Sequence, residues 1–307
     1  MNQAVPATDG SSGYGRGVLF VLTAGIIWST VGLGVRLIED ASHWQILLYR
    51  SLTVTPFLFA VLWIRSRGHP LAVIRQAGPS AAFAGLCLFF AYAGGIYAIQ
   101  ATTVASALLI FASAPMFAAL LGWLALGERV RTATAIAILF AVLGVGIMVA
   151  EGFSSGNLEG NLAAIGSALG FAVYTVILRY GRARDMMPSA FLSGFITLCL
   201  TIPICIGLGL PLVISANDAS IALSMGVFQI GAGLVLYTIG SKTVPSAELT
   251  LLSLGEVLLA PVWVWMYMAE VPSPHTLLGG AVLLAAIVGN AVTGMRRRAA
   301  PVAATEN

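Results

Sequence analysis

Hydrophobic and polar positions alternate along this chain in long blocks, with neither the period of a surface helix nor that of a half-buried strand. Apolar runs of about 20 residues fall at 17–38, 43–64, 79–99, 103–125 and 132–150. Five more follow at 160–180, 188–209, 219–240, 246–268 and 274–294. Each is about the length that an α-helix needs to cross a ~30 Å hydrocarbon core. The connections between them are short, so no soluble domain fits between spans. The pattern predicts an all-α polytopic membrane protein of ten transmembrane helices, whose backbone polar groups are satisfied within the helices themselves.

Composition supports that class. Of 307 residues, 59% are hydrophobic and 9% charged, against about 25% charged in soluble domains. Mean hydropathy is +0.95. The formal charge of +3 is small and the basic residues are dispersed, which excludes a nucleic-acid binder. Cys87, Cys199 and Cys205 all lie in apolar runs, where packing is the expected role. His43, His69 and His275 stand apart without metal-ligand spacing. No cofactor or metal is implied. Residues 1–16 are polar and predict a disordered tail rather than a signal peptide.

Charge sets the orientation. Arg16, Arg65, Arg67, Arg75, Arg129, Arg131, Arg182, Arg184, Lys242 and Arg296 to Arg298 fall at one end of the spans. Glu39, Asp40, Glu151, Glu159, Asp218 and Glu270 fall at the other, with Arg36 as the exception. The positive-inside rule then predicts that both termini are cytoplasmic.

The two halves repeat. Thr103-Val104-x-Ser106-Ala107 is echoed by Thr243-Val244-x-Ser246-Ala247, and Trp123 and Glu128 align with Trp265 and Glu270. Gly17, Leu19, Trp28 and Arg36 align with Gly160, Leu162, Phe171 and Arg179. Common order and spacing point to an internal duplication, with units at 17–150 and 160–294. Five spans per unit is an odd number, so the second copy is inverted in the membrane. Inverted repeats are a common architecture of carriers, with the substrate site at the midplane between the copies.

Glu256 is the residue of greatest chemical interest. It lies ten residues past Ser246, roughly 15 Å into the span and so near the midplane. Acids at that depth are expensive and are usually kept for binding or proton traffic. One reading gives Glu256 a substrate ammonium group or a coupling proton. The competing reading is a protonated glutamate bonded to a neighbouring helix. Glu248 sits about 80° around the same helix and roughly 12 Å lower. It extends a path from the cytoplasm or, equally, favours the positive end of the helix dipole. Arg50 lies roughly 10 Å below the outer edge. Anchoring a substrate carboxylate competes there with snorkelling to the headgroups. Trp28 and Tyr92 are the cavity candidates near mid-span, whereas Tyr97 and Tyr237 fit an interfacial belt. Arg36 and Arg179 read as interfacial anchors. Glu128 and Glu270 read as caps, gates or loop ties. Gly166-x-x-x-Gly170 reads as a close-packing face, and Pro56, Pro115, Pro203 and Pro261 as kinks.

Together these residues resemble the drug/metabolite transporter superfamily, in particular its EamA-type members. The resemblance rests on GIIWSTVGLGVRL in the first span and Arg50 in LLYRSLTV. Ala101 to Val130, with Pro115 and the closing Gly127-Glu128, carries it further, as do Glu256, Pro261, Trp263, Trp265 and Glu270. A frequent Glu-Pro pair of that family reads Glu256-Val257 here, with the proline displaced to Pro261. The resemblance implies two EamA repeats in a bacterial inner membrane, acting as a monomer or homodimer. It also implies secondary transport of a small metabolite, most often outward.

One acid, one arginine and several aromatics suit an amino acid or a derivative. Import of a vitamin or other aromatic metabolite such as riboflavin is the alternative, and protons are a possible coupling partner. No Walker-type phosphate loop is present. A membrane enzyme is the remote alternative, since no histidine or paired aspartate lies at depth. A channel lacks a ring of charge.

Overall fold

A computed structural model of the chain describes residues 10–127, 131–180, 187–244 and 246–299. The first nine residues of the polar tail, Glu128, Arg129, Arg182 and Arg184 lie outside the described residues, as do the side chains of Arg179, Glu248 and Arg296 to Arg298. Every regular element among the described residues is helical. Among the described residues, nine segments are long and apolar enough to cross a membrane, and Gly255–Met268 is a shorter apolar stretch of the remaining helix.

The first span comprises α1 (Gly10–Ser29) and α2 (Val31–Arg36), broken at Thr30. The helix begins well ahead of residue 17, where the apolar run starts. α3 (His43–Arg65) opens with a capping box in which Ser42 and Gln45 bond each other's backbone N–H, satisfying two orphan donors at the helix start. α4 (Pro70–Ala101) contains a break at Gly78, whose φ of 71° lies in the left-handed region that glycine adopts without penalty. The break separates a short N-terminal piece from the helix that runs on from Pro79. The fourth span is interrupted just before Pro115 and forms α5 (Val104–Phe111) and α6 (Ala114–Leu126). Pro56, Pro203 and Pro261 instead sit inside helices without a break. α7 (Thr132–Ser155) completes the first unit.

The second unit comprises α8 (Leu158–Tyr180), α9 (Met187–Gly207) and α10 (Ala216–Ser224). A π-helical stretch, Met225–Ala232, joins α10 to α11 (Gly233–Gly240). α12 (Ser246–Met268) and α13 (Pro274–Ala299) follow.

Packing makes the repeat visible. α1 lies against α11 and α12, and α8, its counterpart, lies against α4 and α6. α3 packs on α10 and the π-helical stretch, as α9 packs on α4. The counterparts α3 and α9 meet each other, as do α7 and α13. Exchanging the two five-helix units maps these contacts onto one another. This is the pattern expected of a pseudo-two-fold axis between inverted repeats.

The largest buried cluster crosses between the units through Val35, Ile46, Ile110, Met148, Leu283 and Ile287. Large apolar side chains such as Leu19, Phe90, Leu139 and Leu258 point outward, as expected where the surroundings are lipid. Inside the spans, several hydroxyls are satisfied by the carbonyl one turn before. Thr197 and Thr201 donate to the Ser193 and Thr197 carbonyls at 2.6 and 2.7 Å.

Candidate functional site

Glu256 sits within α12 where α1 passes closest. A side chain placed on Gly25 would come within 4.0 Å of the Glu256 backbone nitrogen and 3.9 Å of the Leu252 carbonyl. Two turns further on, Trp263 Nε1 donates to Ser29 Oγ at 2.8 Å and ties the same helices together. The Glu256 residue is half-buried, and among the described residues nothing bonds or ion-pairs with its carboxyl. The described surroundings therefore offer no neighbouring-helix partner of the kind the structural reading of this acid requires.

Arg50 is buried, with 4% of its surface exposed. Its guanidinium carbon lies 4.8 Å from the centroid of the Tyr92 ring. That geometry brings α3 and α4 together by cation–π attraction. It also removes the option of snorkelling, which needs a head group in contact with the interface. A small cavity of about 10 Å³ borders Arg50, Ser51, Tyr92, Ser193 and Thr197, at the junction of α3, α4 and α9.

Trp28 packs on Tyr237 of α11 with ring centroids 5.4 Å apart. Tyr237 is thus an inter-helix contact rather than a member of an interfacial belt. Among the sequence candidates, Arg50 and Tyr92 touch. Glu256 and Trp28 both lie along α1, which meets α12 at Gly25 and α11 at Trp28.

At the acidic-loop end, polar side chains tie the two units together. Arg36 Nε lies 2.9 Å from Glu270 Oε2, and Arg36 Nη2 donates to the Thr102 carbonyl at 2.6 Å. The other oxygen of Glu270 accepts from the Val104 backbone N–H at 2.6 Å, one of the orphan donors at the start of α5. Arg36 is therefore the ion-pair partner of Glu270, not a headgroup anchor. Ser273 Oγ donates to Glu151 Oε2 at 2.5 Å, and Thr276 pairs with Ser106 at 2.8 Å. Tyr97, expected in the belt, donates to Glu159 at 3.0 Å.

Asp218 had no assigned role beyond its negative charge. It is 1% exposed and accepts from the backbone N–H groups of Glu39, Asp40 and Ala41 at 3.0 to 3.1 Å. One carboxylate of the second unit thereby holds the whole α2–α3 loop of the first. Ser215-x-x-Asp218 marks only the start of a helix, and Ser215 does cap α10 by accepting from the Asp218 N–H at 3.1 Å. The basic-loop end also carries polar ties among the described residues. One is Asn290 Oδ1, which accepts from Arg131 at 3.1 Å and from Thr134 at 2.8 Å.

Comparison with known proteins fits this architecture. A solved crystal structure superposes on 94% of the chain and 100% of its own length, with a TM-score of 0.65 at 23% identity, a likeness of fold. The chain is 26% identical over 270 residues to the uncharacterized transporter YwfM of Bacillus subtilis (strain 168), covering 87% of this chain and 90% of that one. It is 25% identical over 298 residues to human solute carrier family 35 member G1, covering 91% and 79%. An uncharacterized transporter of Archaeoglobus fulgidus is 28% identical over 225 residues, covering 70% and 78%. The EamA-like transporter family matches twice, at residues 15–150 and 158–292. With both units matched, this chain is a multi-pass membrane transporter for a small molecule and belongs to the EamA-like transporter family.

Proposed function

We propose that this protein is a secondary transporter that moves an amino acid or a derivative outward across the cytoplasmic membrane by alternating access. The units 17–150 and 160–294 rock against each other, with both termini in the cytoplasm and with energy from a solute or proton gradient. Glu256 binds the coupling proton or the ammonium group of the solute. Arg50, Tyr92 and Trp28 complete the binding surface, and Glu248 extends the path toward the basic-loop end.

The observation that carries this reading is Glu256 itself, an acid deep in a span without a bonding partner among the described residues. An acid kept at that depth without a partner is best explained by a transient one. The ties at the acidic-loop end add support. An ion pair and hydrogen bonds across the units at that end are what a carrier facing the other side requires.

The test is transport in proteoliposomes with a set of radiolabelled amino acids, comparing wild type with Glu256→Gln across a pH range. Loss of transport, or loss of its pH dependence, is expected in the variant. Unchanged transport with unchanged pH dependence would overturn the role of Glu256.

A further inference from the structure

We propose that the cavity between α3, α4 and α9 is an anion subsite, in which Arg50 receives the carboxylate of the transported solute. The inference rests on the transporter reading above and adds to it a chemical requirement on the substrate.

Donors and acceptors at this cavity are out of balance. The Arg50 guanidinium offers five N–H donors, and among the described residues no carboxylate or carbonyl accepts from them. The Tyr92 and Ser51 hydroxyls also lack a partner among the described residues. Ser193 and Thr197 spend their protons on the Ala190 and Ser193 carbonyls, at 2.7 and 2.6 Å. Thr55 Oγ1 is buried without a partner and lies close to Gly194, which lines the cavity. Among the described residues no acidic side chain borders the space.

A buried cation without a counter-charge is strongly disfavoured unless something pairs with it. The Tyr92 ring lies 4.8 Å from the guanidinium carbon, and this contact supplies no carboxylate or carbonyl to the N–H groups. A carboxylate matches the planar guanidinium fork with two parallel hydrogen bonds, and such pairs are among the stronger polar contacts in proteins. At about 10 Å³ the cavity is at the lower limit for a single water. In this state it is too small for a carboxylate. Its walls belong to both repeats, α3 and α4 from one and α9 from the other, so movement between the units opens it. Glu256 packs against α1, on a different set of helices. The solute's negative and positive ends are therefore sensed on separate surfaces.

The test uses membranes holding the full chain with Cys87, Cys199 and Cys205 changed to serine and with Ser51→Cys added. Labelling rates are measured for an anionic methanethiosulfonate, the sulfonatoethyl reagent, and a cationic one, the trimethylammonium-ethyl reagent. Each rate is divided by that on free cysteine. A preference of about tenfold or more for the anionic reagent is expected, given the strength of a nearby unit charge at a protein site. Arg50→Lys should retain the preference and Arg50→Gln should erase it. Acetate should slow labelling in the chain that keeps Arg50, whereas its neutral isostere acetamide should not. This arm needs no variant of Arg50. Equal rates for the two reagents, or no labelling by either, would overturn the subsite. Protection by acetamide or chloride equal to that by acetate would overturn the carboxylate assignment. Labelling requires no transport, and a chain carrying Glu256→Gln should show the same preference. A failure here thus leaves the Glu256 reading intact, and a failure there leaves this one.

Discussion

Arg36, at the end of the first span, and Glu270, just past the end of the ninth, form an ion pair of 2.9 Å across the two repeats. Their side chains are 26% and 20% exposed, so water screens the pair in part, and the charge attraction alone contributes about 1 kcal/mol or less. The Val104 N–H bond to the same carboxylate acts as a helix cap and contributes about 1 kcal/mol more. Removing both with Glu270→Ala should weaken closure by about 2 kcal/mol, roughly thirtyfold in the open-to-closed ratio. Labelling of Ser106→Cys by an impermeant thiol reagent from the acidic-loop side should accelerate accordingly. Glu270→Gln keeps an oxygen for Val104 and should fall between. Equal labelling in all three chains would show that this pair does not hold the end closed.

Asp218 carries a different load. Its carboxylate serves three backbone donors of the α2–α3 loop, and a hydrogen bond to a charged group contributes about 1.5–3 kcal/mol. Asp218→Ala strands those donors and should destabilise the folded protein by roughly 3 kcal/mol, seen as a lower melting temperature in detergent. Glu39→Ala and Asp40→Ala should have little effect, because Asp218 uses the backbone of those residues and not their side chains. A melting temperature unaltered in Asp218→Ala would mean that the loop is held by other contacts.

The Gly166-x-x-x-Gly170 motif divides into two unlike positions. A methyl group on Gly170 would sit 3.2 Å from the Ala91 nitrogen and the Cys87 carbonyl, against the backbone of α4. One on Gly166 would meet nothing within 4 Å among the described atoms. Gly170→Ala should therefore destabilise by about 1–3 kcal/mol through overpacking. Gly166→Ala should be neutral or stabilising by up to about 1 kcal/mol, from helix propensity. Thermal melting of the two variants side by side decides the matter. Equal losses would restore the motif as a single packing face.

The fold was legible in the sequence because lipid imposes a length on every apolar run and the positions of arginine mark the loops. The inverted repeat was legible because the Thr-Val-x-Ser-Ala segments and the tryptophans recur in order. The break ahead of Pro115 followed from its missing N–H, whereas Pro203 and Pro261 show that proline alone does not fix a break. The Arg36–Glu270 pair was not legible, because it joins residues 234 apart whose types equally suit an interface. Nor was the role of Asp218, since its partners are backbone N–H groups that no side-chain pattern reveals. Depth along a span located Glu256 and Arg50 as unusual. Only the packing showed that Tyr92 faces Arg50 and that α1 borders Glu256.

The central claim is that Glu256 is a carboxyl group at membrane depth that takes up and gives up a proton. Dicyclohexylcarbodiimide, which enters membranes and reacts with protonated carboxyls, tests it without knowledge of the substrate. Mass spectrometry of treated membranes should find the adduct on Glu256, in an amount that falls as pH rises, because deprotonation removes the reactive form. Glu256→Gln should remove that adduct. No adduct on Glu256 at any pH, or an amount that does not vary with pH, would contradict the account.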